Sequence, residues 1–267
     1  MTRSSIAWII GSACLATTAG QAIAQEQDAD ALAKQLANPV AALISVPFQL
    51  NYDTGYDNDG EKWLLNVQPV IPIGLSDKWN LISRTILPLI DQKNVVDVGS
   101  QSGLGDIVQS FFFSPKEPTG SGWIWGIGPA ALLPTATDDL LGQEQWALGP
   151  TAVALKQTEA GWTYGALVNQ LWSVAGNDDR TDVNAMFLQP FLTKALGKGR
   201  TVALNLESTY DWERRQWTVP VNLGYSKVTK LGNQLVSWQG GVRAYLEAPE
   251  GGPDWGLRFT FTLLYPK

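Results

Sequence analysis

The chain of 267 residues contains no histidine. A Ser-His-Asp triad, a Cys-His pair, an HExxH zinc site and any His-ligated metal or haem are therefore excluded. Its single cysteine, Cys14, has no second thiol with which to form an internal disulfide. Charge is scarce: Asp, Glu, Lys and Arg make up 16% of the residues, against roughly 25% in ordinary soluble domains. The 25 acidic groups outnumber the 19 basic ones. That balance argues against a non-specific nucleic-acid binder, which needs clustered cations to neutralise phosphate. Long hydrophobic runs are missing beyond the N-terminus. The longest candidate, residues 124–133, is interrupted by Gly126, Gly128 and Pro129 and falls short of the roughly 20 apolar residues that a spanning helix needs.

What the chain has instead is tryptophan, 12 of them, with 26 glycines and 15 prolines. The N-terminus reads as an address. Met1 to Arg3 give a positive start, residues 6–16 an apolar core, and Ala22-Ile23-Ala24 a small-x-small cleavage site. Residues 1–24 are thus expected to be a signal peptide cleaved after Ala24. Cys14 lies inside it, so the exported chain has no cysteine and must be held by burial or by a closed hydrogen-bond network. Residues 25–40 read as a helical segment: Ala29, Leu32, Ala33 and Leu36 recur at helical spacing, and Asn38-Pro39 ends the pattern.

From residue 41 to 267 the period is two. Ile44, Val46, Phe48, Leu50 and Tyr52 alternate with Ser45, Pro47, Gln49 and Asn51. Val202, Leu204 and Leu206 alternate with Asn205 and Glu207, and Leu257, Phe259 and Phe261 with Arg258, Thr260 and Thr262. Such alternation means strands with one apolar and one polar face. We count 12 segments, near 43–52, 63–74, 79–90, 104–114, 123–134, 145–156, 162–174, 183–194, 201–212, 216–227, 235–247 and 255–265. The third, fourth and eleventh alternate poorly, which makes 10 the alternative count. The segments are longer than the 5 or 6 residues typical of globular strands and fit the roughly 9–11 tilted residues that cross a bilayer. A sheet in lipid must close on itself to pair its backbone groups. The expected fold is all-β: an antiparallel transmembrane barrel of about 12 strands with a short N-terminal helix.

Two patterns favour lipid over water outside. Tryptophans gather at strand ends, as Trp63, Trp79, Trp123, Trp146, Trp162 and Trp255 do, where indole prefers the headgroup boundary. Connections alternate in charge: residues 53–62, 91–103, 135–144, 175–182, 211–215 and 247–254 hold 17 Asp/Glu and 5 Lys/Arg, whereas the intervening turns are basic. This matches a bacterial outer-membrane barrel with short periplasmic turns and longer external loops. Proline argues the other way, because Pro47, Pro69, Pro72, Pro88, Pro129, Pro150, Pro190 and Pro220 each remove a ladder donor. The wall must be kinked or its strands shorter there. A secreted soluble β-sandwich is the alternative fold.

Several runs together resemble a bacterial family labelled "MetA-pathway of phenol degradation" or simply "transporter". They are residues 36–41 with 45–49, Gly103-Leu104-Gly105-Asp106, Gly128-Pro129, Pro134-Thr135-Ala136-Thr137, Gly149-Pro150 and Gln189-Pro190. The likeness covers about residues 30–267. It implies an outer-membrane barrel that passes small, aromatic or apolar molecules, and it carries no catalytic residues. The run Asp254 to Phe261 also resembles the insertion signal read by barrel-assembly machinery.

The residues on polar faces are the lumen-lining candidates: Asn51, Asn66, Gln68, Arg84, Asn205, Glu207, Asn222, Arg243, Glu247 and Arg258. They form either a filter for solutes or an internal network that fills a narrow barrel. Pro129 and Pro150, in neighbouring strands, mark a candidate lateral gap in the wall. Asp178, Asp179 and Asp182 lack calcium-loop spacing and read as a solvated acidic loop. No metal, cofactor or enzyme activity is expected. The expected partners are membrane lipid and lipopolysaccharide, the assembly machinery and a small-molecule solute. The expected function is passive passage of small molecules. A closed structural or assembly-related barrel without transport is the competing function.

Overall fold

The computed structural model describes residues 29–96 and 99–266. The signal peptide expected at 1–24, and residues 25–28 of the helical segment, lie outside the described residues. Twelve strands form one closed antiparallel barrel. They are β1 (Ile44–Tyr56), β2 (Gly60–Val67 continued by Val70–Gly74), β3 (Trp79–Lys93), β4 (Ser100–Leu104 continued by Ile107–Pro115), β5 (Trp123–Leu133) and β6 (Gln145–Gln157). Then come β7 (Trp162–Gly176), β8 (Asn184–Gly197), β9 (Arg200–Leu206 continued by Ser208–Asp211), β10 (Gln216–Leu231), β11 (Gln234–Glu247) and β12 (Trp255–Tyr265). Each strand pairs with its sequence neighbours, and β12 pairs with β1 from Ile44↔Tyr265 to Thr54↔Trp255, which closes the cylinder. No edge is left unpaired, as a sheet in lipid requires.

Register fixes which side chains face inward. The cross-strand neighbours Asn51 and Arg258, then Arg258 and Gly241, share the lumen face, as do Asn222 and Asn205. Leu204, Leu223, Val242, Leu257 and Phe259 then face out, and all are exposed. So large an apolar surface is intolerable in water. Trp63, Trp146, Trp172, Trp212 and Trp255 are exposed at the end of the wall that carries the acidic loops, and Trp79, Trp123 and Trp162 at the opposite end. Two aromatic rings flank an apolar band, the surface pattern of a membrane barrel. Short turns close the second end. Between β8 and β9 only Lys198 (φ 58°) and Gly199 (φ 69°) turn the chain, the paired positive φ that a two-residue hairpin of this twist demands.

The prolines kink the wall. The break in β2 holds Pro69 and lies opposite Pro47, whose carbonyl accepts the Gln68 N–H at 2.9 Å. The break in β4 lies opposite Pro88, which accepts from Gly105 at 2.9 Å, and the break in β9 opposite Pro220, which accepts from Glu207 at 3.2 Å. Each proline withholds a donor, and the facing strand bulges where the rung is missing.

Residues 29–36 are helical and sit inside the barrel at its short-turn end. Leu32 and Ala33 are buried against Leu43, the inward Val228 of β10 and Leu264 of β12. The Asp30 carboxylate accepts the Gly199 N–H at 2.6 Å, and the Lys34 carbonyl accepts from Gln157 at 2.8 Å. Val40 then packs on Ile82, Phe112, Val153, Leu155 and Leu167. These five come from β3, β4, β6 and β7 and all face the lumen. The barrel thus has its core inside, built by its own N-terminal segment.

Candidate functional site: the lumen

The two halves of the inner wall differ in chemistry. From β9 through β12 to β2 it is polar. Arg258 (β12) is bound by both Glu207 oxygens (β9) at 2.7 Å, and its Nε donates to Asn51 Oδ1 (β1) at 2.7 Å. Asn222 (β10) donates to Asn205 (β9) at 2.9 Å. Nearer the acidic rim, Arg243 (β11) faces Asp53 (β1) with 3.4 Å at each of two contacts and lies over the Tyr245 ring at 5.2 Å. Lys62 (β2) is the cross-strand neighbour of Asp53 on the same face. The bidentate Arg258–Glu207 pair has the geometry of a strong charge-assisted contact, and the Arg243–Asp53 pair is looser. From β3 through β8 the inner face is largely apolar, and the N-terminal segment covers its lower part.

Arg84 stands at the boundary. It lies on β3, with Val70 and Ser110 as inward cross-strand neighbours, and its Nη2 donates to Gln68 Oε1 at 3.1 Å. Two cavities meet there. One of about 220 Å³ is lined by Asn66, Gln68, Arg84, Asn205, Glu207, Asn222 and Arg258, together with Gln49, Gln189, Gln239 and Phe187. The other, about 240 Å³, lies between the wall and residues 35–41. Gln68, Arg84, Gln189 and Asn205 line both and form the waist between them. A wider space of about 750 Å³ opens among the external loops.

Seven of the ten candidate residues therefore come together around one cavity. Asn51 and Arg243 are buried beside it in the wall network. Glu247 does not join them. Pro220 pairs with Tyr245, but Val219 pairs with Glu247, so the extra residue Leu246 reverses the phase and Glu247 is exposed at the acidic rim. The sequence pattern places Asp53 and Lys62 in a loop, but the strands run on to Tyr56 and from Gly60, and both residues face the lumen. The signal was available: Asp53 continues the phase of Gln49 and Asn51.

Two of the runs quoted for the family resemblance turn out to touch. Asp106 accepts N–H bonds from Thr135 and Ala136 at 3.1 Å and from Gln143 at 2.6 Å. Thr135 and Thr137 hydroxyls accept from Ile107 and Leu104. The Gly103–Asp106 and Pro134–Thr137 segments thereby pin the external loop 134–144 onto the break in β4. Arg180, from the neighbouring loop 177–183, donates to the carbonyls of Asp139 and Gly142 in that loop at 2.9 and 2.6 Å. A hydrogen bond to Glu144 raises the Asp139 carboxyl above its ordinary range, and the Asn177 amide holds Glu144 below its own. Among the described residues no three Asp, Glu, Cys or His side chains converge on a common point.

At Pro129 and Pro150 the ladder is interrupted on both outer flanks. Pairing of β4 with β5 stops at Ser110↔Ala130 and resumes at Phe113↔Ile127. Pairing of β6 with β7 skips from Leu148↔Trp172 to Thr151↔Asn169. Between them Pro129 and Pro150 face each other directly. Gly128 and Gly149 press against the carbonyls of Phe111 and Gln170, where any Cβ would clash, so the wall is unzipped there without being open.

No protein-family model matches the chain, and no curated protein does. Solved structures do. An outer membrane channel of Pseudomonas putida F1 is 14% identical, with 84% of this chain and 96% of that one covered and a TM-score of 0.68. The outer membrane phospholipase A of Escherichia coli is 11% identical, with 84% and 90% covered, at a TM-score of 0.48. The shared property at this identity is the fold, a closed antiparallel barrel of the outer-membrane type.

Proposed function

We propose that the chain is an outer-membrane channel for passive passage of small molecules. The observation that carries this reading is a polar, partly empty lumen inside a closed barrel whose exterior is an apolar band between two tryptophan rings. An assembly role alone would not call for buried charges lining a cavity. The likeness to the P. putida channel agrees with the reading. No catalytic step is part of it, and without histidine the chain cannot form the His-dependent sites excluded above.

The solute class is small aromatic or apolar compounds. The apolar half of the lumen offers such a molecule a surface, and the wall, closed but short of rungs at Pro129 and Pro150, is where it would have to part for a sideways exit into lipid. The segment at residues 29–43 is the plug that gates axial flow. The competing reading, a closed barrel without transport, draws on that same plug. Planar-bilayer conductance separates them, measured on the mature chain and on one lacking residues 25–40. A channel gives small conductance in the first and at least severalfold more in the second. Silence in both, with no uptake of an apolar tracer into cells, leaves only the closed barrel.

A further inference from the structure

We propose that Arg84 and the carboxamides around it form a carboxylate-binding subsite, and that the solute is a small organic acid with an apolar or aromatic body. The proposal rests on the channel reading and names its solute more closely.

Arg84 is a lumen cation without a counter-ion. A guanidinium carries five N–H donors in a planar fork, and among the described residues the single bond that Arg84 makes is to the neutral Gln68. Glu207 acts on it electrostatically, but both Glu207 oxygens are taken by Arg258. Asp53 is engaged by Arg243. In this part of the lumen four cations, Lys62, Arg84, Arg243 and Arg258, face two carboxylates, Asp53 and Glu207. An unpaired charge inside a protein is costly, and a solute anion is the group that would complete this site. No nitrogen of Arg84 is among the buried atoms left without a partner, so its free donors open onto the cavities.

Position and size narrow the ligand. Arg84 lines both cavities, so a solute moving along the lumen passes the fork. Of the two cations left over, Lys62 lies beside Asp53 toward the acidic rim, so at the waist one free cation, Arg84, matches one carboxylate better than a dianion, with Glu207 close by to repel a second charge. Gln68, Gln189 and Asn205 supply further hydrogen bonds at the waist. Ile86 and Phe187 line the same cavity and give an apolar body a place to lie. About 220 Å³ is below the roughly 300–1,000 Å³ of drug-sized sites, which limits the body to about one ring.

The test uses the mature protein in detergent with benzoate as probe and benzamide as its uncharged counterpart, read by titration calorimetry. Benzoate binds at one site, Arg84→Gln lowers its affinity at least tenfold, and Arg84→Lys, which keeps the charge and loses the fork, gives an intermediate loss. Benzamide binds weakly and alike in all three. In bilayers under a KCl gradient, the reversal potential shows anion preference that Arg84→Gln removes. Absence of benzoate binding, or equal affinity in the wild type and both variants, overturns the subsite whatever the conductance. Binding without any conductance keeps the subsite and removes the diffusive channel. If Arg84→Gln does not fold, Arg84→Lys decides alone, and an unchanged affinity in it overturns the proposal.

Discussion

The polar and apolar halves of the inner wall solve the same problem by opposite means. Both must fill or hydrate the inside of a barrel whose outside is already apolar. The β9–β2 half does so with charges that satisfy one another, Arg258 with Glu207 and Arg243 with Asp53. The β3–β8 half presents Ile82, Phe112, Val153, Leu155 and Leu167, and the chain covers them with its own Val40. The first half keeps space for water and solute because its side chains hold each other against the wall. The second surrenders space to the plug. The seam between them, at Arg84 and Phe187, is where a molecule with one polar and one apolar end fits.

Substitutions can break this contrast, and the largest effect belongs to the polar half. Glu207→Gln leaves Arg258 buried without its countercharge, and a broken buried pair costs about 3–5 kcal/mol. Denaturant unfolding in detergent should show that loss, while Asp211→Asn, whose partner Arg214 is exposed, stays within about 0.5 kcal/mol. Leu155→Ala probes the apolar half. Leu155 is fully buried, and the cavity left behind costs about 2–5 kcal/mol. The same experiment measures it, and the two losses should add, since the sites share no partner.

Next comes the plug. Leu32→Asp places a charge against Val228 and Leu264, and the helix leaves the barrel while the wall, closed by its own ladder, persists. Bilayer conductance should rise severalfold with the strand content by circular dichroism unchanged. The smallest effect is in the external loop. Asp139, with its raised pKa, stabilises the loop fully below the ordinary Asp value and loses that contribution as pH rises through its folded value. Glu144, with its lowered pKa, contributes above the ordinary Glu value and loses it as pH falls. Hydrogen-exchange protection of residues 134–144 should therefore peak in mildly acidic solution. Asp139→Asn donates to Glu144 at every pH and should remove the loss on the alkaline side.

The same contrast explains what could be read in the sequence. All twelve strands were legible because one face of most of them is apolar for lipid and the other polar for the lumen. The segments near 79–90 and 104–114 alternated poorly for a physical reason: Ile82, Ile86, Val108 and Phe112 face inward onto the plug or the seam, so both faces are apolar and the period of two fades. The eleventh segment was obscured by Gly240-Gly241 and by the bulge at Leu246, which also misplaced Glu247. The polar half of the site is legible from alternation up to the strand ends, where the acidic run 53–62 reads as a loop and hides Asp53 and Lys62. What no periodicity carries is the pairing, above all that Glu207 is taken by Arg258 and Arg84 is not.

The most direct test exploits the absence of cysteine beyond Cys14. Single cysteines at neighbouring positions, Asn205→Cys and Leu204→Cys, are placed in a chain that starts at residue 25, in lipid vesicles, and exposed to a small charged thiol reagent. The barrel account predicts rapid labelling at position 205, which lines the lumen cavity, and protection at 204, which faces the lipid. Equal labelling at the two positions, or the reverse order, would contradict it.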